Sequence, residues 1–136
     1  MLRIVALAVV LAAPAAGPSG SARVVVEGLT SDAGAVRVAL FDSEATFTRD
    51  AARAAILPIS DGRAVWLLDD LAPGHYAVAA FHDEDGDGDM DRGLFGIPRE
   101  PYGFSRGARG RFGAPAWQAA RFRVGGGRVT VRVPVR

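Results

Sequence analysis

Asp83, Asp85, Asp87, Asp89 and Asp91 occupy every second position of the stretch "HDEDGDGDMD", with Glu84 beside them and Gly86 and Gly88 between them. Two neighbouring ionised carboxylates about 6 Å apart repel by roughly 0.7 kcal/mol even in water, and closing the loop multiplies such pairs. The stretch therefore stays open to solvent or gathers round a cation. Calcium takes six to eight oxygens, and tight turns through glycine let alternate carboxylates converge on it. Counted from Asp83, the loop matches positions 1, 3, 5 and 6 of an EF-hand, but position 12 is Leu94 and no helix is expected on either side. The spacing describes a calcium-type loop on a β scaffold. Its candidate ligands are Asp83, Asp85, Asp87, Asp89 and Asp91, with Glu100 as a bidentate donor and calcium as a structural ion. A solvated acidic turn and another metal are the competing readings.

His82 next to Asp83 raises the question of catalysis or zinc. Zinc needs three or four nitrogen or sulfur ligands. The chain has no cysteine and only His75 and His82, which stand an odd step of seven apart and so point to opposite faces of one strand. A His-Asp pair could serve an envelope hydrolase using His82 with Asp83 or Glu100, yet Ser105 in "YGFS" lacks the setting of a nucleophile elbow. The chain reads as a binding or accessory module, with that hydrolase as the alternative.

What must position these residues is almost entirely period-two sequence. "ARVVVEGL" from Ala22 and "AVRVALF" from Ala35 read as strands joined by turn chemistry in "TSDAG". "DSEATFTRDAARA" from Asp42 has Asp42 or Ser43 as a cap and few apolar anchors, which predicts a turn or two of helix at most. "AAILPIS" and "RAVWLLDD" flank Asp61-Gly62, the signature of a type I′ hairpin, which would set Ile59 opposite Ala64 and Leu57 opposite Trp66. Pro58 marks its strand as an edge. A Pro-Gly turn then feeds a strand from His75 to about Phe81, so the acidic loop begins where a strand ends.

"WQAARFRV" and "RVTVRVPV" suggest a last hairpin through Gly125-Gly126, with Phe122 opposite Val129, Arg123 opposite Arg128, and an arginine-rich outer face. Between loop and hairpin, "GLFGIPREPYGFSRGARGRFGAP" is too rich in Gly and Pro for a helix; its aromatics predict an ordered loop packing Phe95, Tyr102 and Phe104 on the domain. The expected fold is an all-β antiparallel sandwich of six to seven strands with this long ordered loop.

The first residues belong to a different chemistry. Arg3, an apolar run from Ile4 to Ala13 and "APAAGPSGSA" have the form of a secretory signal peptide, assigned to residues 1–22, ahead of one domain over residues 23–136. As a helix the apolar run spans about 15 Å, half of a bilayer core, so it is no transmembrane anchor. The expected location is periplasmic or secreted. Without cysteine, such a domain relies on its core, with or without an ion. Charges number 16 basic and 15 acidic, all the basic ones Arg, and no acidic residue follows Glu100. That asymmetry suits an anionic partner, an envelope glycan or protein; a neutral exported domain with no basic helix is not a nucleic-acid binder.

"GHYAVAAFHDEDGDGDMDRGLFGIPREPYGFS" followed by "FGAPAWQAARF" resembles the exported bacterial family known as domain of unknown function 2141. The resemblance covers nearly the whole mature chain. It rests on Gly74, Tyr76, His82, Asp83, Asp91, Gly96, Ile97, Pro98, Glu100, Gly103, Phe104 and Ser105 in that order. Asp85 and Asp87 stand where Asn is common, and Trp117 where Phe is. The resemblance implies secretion and a transthyretin-like or immunoglobulin-like sandwich; it implies no activity.

Overall fold

The structure, a computed structural model, describes residues 17–86, 100–111 and 113–136. Among them lie eight strands: β1 (Gly20–Glu27), β2 (Ala35–Phe41), β3 (Arg53–Leu57), β4 (Ala64–Leu71), β5 (Gly74–Asp83), β6 (Tyr102–Phe104), β7 (Phe122–Val124) and β8 (Arg128–Pro134). One helical turn, α1 (Trp117–Ala120), precedes β7. The strands form two sheets. One has the order β4-β1-β8; the other has the order β3-β2-β5-β6, with β7 also paired to β5. No helix among the described residues is long and apolar enough to cross a membrane.

Alternation decides which side chains fill the space between the sheets. Ala22, Val24 and Val26 of β1, Trp66 and Leu68 of β4, and Val131 and Val133 of β8 face Val36, Val38 and Leu40 of β2 and Tyr76, Val78 and Ala80 of β5. Burying each large aliphatic side chain stabilises the fold by about 1.5–3 kcal/mol. A second cluster covers part of the outer face of the larger sheet: Phe41, Phe47, Ala77, Phe104, Trp117 and Ala120. Phe47 is its hub, edge-on to Phe41, Phe104 and Trp117. This explains why the sequence from Asp42 carries so few apolar anchors. It forms hydrogen-bonded turns in which Ser43 Oγ accepts from the Thr46 amide, and it needs only Phe47 to dock.

The β-sandwich agrees with the sequence reading, and four of its local expectations change. Asp61 and Gly62 do adopt the left-handed pair of a type I′ turn, with φ of 52° and 72°, and Ser60 and Arg63 exchange both backbone hydrogen bonds. The ladder stops there. Pro58 removes the next donor, and β3 and β4 separate into different sheets, so Leu57 pairs with Val36, and Trp66 with Val24. As expected, β3 is an edge.

The glycine triplet likewise crosses between sheets. β7 joins β5, whereas β8 runs parallel to β1, from Ser21↔Arg128 to Glu27↔Pro134. Phe122 and Val124 therefore reach the core from one sheet, and Val131 and Val133 from the other. Arg123 and Arg128 lie on different sheets, and the arginines form no common hairpin face. Third, "WQAA" is helical rather than extended, because Trp117 and Ala120, three apart, both bury toward the second cluster. The arm read as a loop contains strand β6, which raises the strand count beyond seven. Tyr102 and Phe104 pack as expected; Phe95 lies outside the described residues.

Tyr76 closes the corner between β4 and β5 by donating its phenol to the Ala72 carbonyl at 2.6 Å. Burial, then the nearby charge of Asp42, raises its pKa above the ordinary 10.0, with Arg53 opposing. A raised folded-state pKa contributes stability that is complete below pH 10 and disappears as pH climbs through the folded value. Tyr76→Phe should cost about 0.5–1.5 kcal/mol at neutral pH. In denaturant titrations, the gap between wild type and variant should narrow above pH 10; a gap independent of pH would contradict this account.

Candidate metal centre

The strand β5 delivers the first of the acidic residues to the edge of the fold, where successive side chains take opposite sides. His82 points inward with Tyr76, Val78 and Ala80; Asp83 points outward with Ala77, Ala79 and Phe81. His82 is fully buried. Its Nε2 lies 2.6 Å from the Ala33 carbonyl, which can only accept, so Nε2 carries the hydrogen. Nδ1 has no hydrogen-bond partner among the described residues and lies 3.6 Å from Glu84 Oε1. His82 is thus a clamp that ties the β1–β2 connection to the end of β5.

Asp83 is 1 % exposed. A charge so buried needs partners. Arg37 Nε donates to its Oδ2 at 2.8 Å, and the Gly86 amide donates to its Oδ1 at 3.1 Å. Gly86 has φ of 72°, the left-handed conformation that turns the chain back over the carboxylate.

Glu100, 7 % exposed, arrives from the far side of the loop. The Glu84 amide donates to Glu100 Oε2 at 2.7 Å, and the His82 amide donates to the Pro101 carbonyl at 2.8 Å, extending the β5–β6 ladder by one step. One oxygen each from Asp83, Asp85 and Glu100 lies within 4.8 Å of the others. Oxygens on opposite sides of one calcium ion, each 2.3–2.6 Å from it, are about 4.6–5.2 Å apart, so the separations fit a shared divalent cation. A metal ion can be held by this triad.

Of the candidate ligands, the structure brings together Asp83, Asp85 and Glu100. Asp87, Asp89 and Asp91 lie outside the described residues. Two contributors escaped the sequence reading. Arg37 is 46 positions from its partner, although it is the one charge in the apolar strand "AVRVALF" and its parity puts it on the outer face. Gly34, with φ of 70°, lets the β1–β2 connection lie directly on Asp83 and Glu84. A Cβ at that position would come within 2.0 Å of the Asp83 carbonyl oxygen.

Ser105, weighed above as a nucleophile, is fully buried. Its Oγ donates to the Ala120 carbonyl at 2.6 Å and accepts from the Val78 amide at 3.0 Å, so it joins α1 to β5.

Gly34→Ala should lower stability by about 1–3 kcal/mol, from the left-handed backbone and the collision with Asp83 together. Chemical denaturation measures it directly. An unchanged midpoint would mean that the connection does not rest on the acidic site.

With the fold and this geometry in view, the comparison with known families gives one match. The family described as "Uncharacterized protein conserved in bacteria (DUF2141)" matches residues 24–132. The chain belongs to that family. No curated protein and no solved structure matches it.

Proposed function

We propose that this protein is an exported β-sandwich binding module whose acidic loop takes a structural calcium ion and whose partner is an envelope glycan or protein. The observation that carries the ion is the convergence of Asp83, Asp85 and Glu100, from two segments, within the span of a single coordination shell. Calcium suits it better than magnesium, which demands a near-ideal octahedron and gives up its waters reluctantly. Zinc is disfavoured, since the nearest nitrogen donor, His82, is on the opposite side of β5 with its Nε2 engaged.

The hydrolase alternative has less support. A fully buried His82 cannot meet a substrate, and Ser105 Oγ has its hydrogen committed to a backbone carbonyl. Export rests on the leader-like residues before β1 and gives the absence of cysteine and the need for an ion a common setting.

Binding to the folded state alone converts affinity into stability. For a dissociation constant of order 10 μM and about 1 mM free calcium, the gain is roughly 2.7 kcal/mol. The melting midpoint should rise by roughly 8–15 °C over that in chelator. Magnesium should do much less. Asp85→Ala should remove most of the rise, whereas Asp50→Ala, in a remote turn, should retain it. Equal melting in calcium and in chelator would make the cluster a solvated acidic turn.

Processing has its own test. Mass spectrometry of the exported protein should find a new N-terminus between Gly17 and Arg23. An intact Met1 in the envelope fraction would refute export by cleavage.

A further inference from the structure

The outer face of the larger sheet carries a feature that the ion does not use. Register places Ile56, Arg37, Phe81 and Tyr102 in one row across β3, β2, β5 and β6, and Ala54, Ala39, Ala79 and Phe104 in the next. Ala39 and Ala79 have no side chain beyond a methyl group, so the second row forms a floor below its aromatic neighbours. The result is a trough of about 120 Å³ lined by Arg37, Ala39, Ala79, Phe81, Tyr102 and Phe104, with Arg37 the charged residue among the described ones that line it. Phe47 and Trp117 cover the continuation of this face. Among the described residues, the trough itself stays half-open.

Arg37 makes the trough selective. Its side chain is 32 % exposed, and Nε is fixed by Asp83. Among the described residues the Nη1–Nη2 edge has no hydrogen-bond or ion-pair partner. A guanidinium held from behind offers that edge as a rigid two-pronged donor, the geometry that matches a carboxylate. At the other end of the aromatic row, Arg109 lies over the Tyr102 ring, 4.8 Å from its centroid. Both flanking charges are positive, so the complement is an anion. A monoanion suits a guanidinium already shared with Asp83 better than a phosphate dianion does. The alanine row from Ala79 through Ala39 to Ala54 crosses two inter-strand gaps, roughly 10 Å, the reach of an extended chain of about eight carbons, with Phe104 as its end wall.

We propose that this trough binds an amphiphile with a carboxylate head on Arg37 and a short alkyl tail on Ala39 and Ala79. This adds a small ligand to the glycan or protein partner of the binding-module reading and needs no ion, so the two can fail separately. The probes are sodium octanoate, octanol and octyltrimethylammonium, titrated against the full methyl-labelled protein in calcium and in chelator. Octanoate should shift the Ala39 and Ala79 methyl signals saturably, and octanol and the ammonium compound should bind at least about tenfold more weakly, given the strength of charge-assisted hydrogen bonds.

Arg37→Gln should weaken octanoate on the order of tenfold. Ala79→Leu, which fills the floor and leaves Arg37 untouched, should abolish binding while the remaining methyl spectrum stays folded. Octanoate and octanol binding equally would overturn the proposal using wild type alone. So would shifts confined to other faces, or sedimentation showing a dimer that covers the trough. A melt insensitive to calcium with octanoate binding intact would refute the ion alone.

Discussion

The alternation of β5 is the constraint on which everything else depends. From Tyr76 to Asp83 its side chains take turns between the sandwich interior and the outer face of the sheet. A slip of one residue would put Asp83 in the core and His82 outside. The slip is prevented from both sides: β2 pairs continuously from Ala35↔Asp83 to Phe41↔Ala77, while β6 and β7 hold separate segments of the other edge. Ser105, bonded to the Val78 amide, adds a pin at the gap between those two short strands. Asp83, the strand-borne member of the acidic site, is therefore held by the same ladders as the core, although it stands at the rim.

That rim concentrates electrostatic risk. Removing a carboxylate from water costs several kcal/mol unless partners replace the lost hydration. Asp83 and Glu100 meet part of that demand with backbone amides, those of Gly86 and Glu84, which are fixed dipoles supplied by the turn itself. Arg37 adds a full positive charge from a neighbouring strand. Such a site can persist as a hydrogen-bonded corner or accept an ion without rebuilding the backbone. Arg37 links it physically to the trough, because the same guanidinium is held by one feature and lines the other.

Much of this was legible in the sequence. Strict alternation placed β2 to the residue and β5 nearly so, and His75 and His82 fell on opposite faces as their odd spacing requires. Asp61-Gly62 specified its turn. What failed was partnership: a hairpin turn at Asp61-Gly62 did not imply a hairpin, because Pro58 ended the ladder and the two strands had better partners elsewhere. The Gly125–Gly127 link was read as a turn for the same reason, since local sequence says how a chain bends and not which sheet it enters next. Glu100 could be nominated by residue type. Arg37 could not be matched to Asp83, because nothing local records that Ala35 and Asp83 sit opposite each other.

The pairing of β1 with β8 has a mechanical side. The first and last strands are parallel neighbours over seven consecutive register positions, so the N-terminal end of β1 and the C-terminal end of β8 lie at opposite ends of one ribbon. Tension applied through the two ends of the domain pulls these strands lengthwise past each other. The hydrogen bonds between them are then loaded in shear and share the force, whereas a hairpin pulled from its open end would unzip one bond at a time. A domain tethered on both sides of these strands would resist stretching at the seam between β1 and β8.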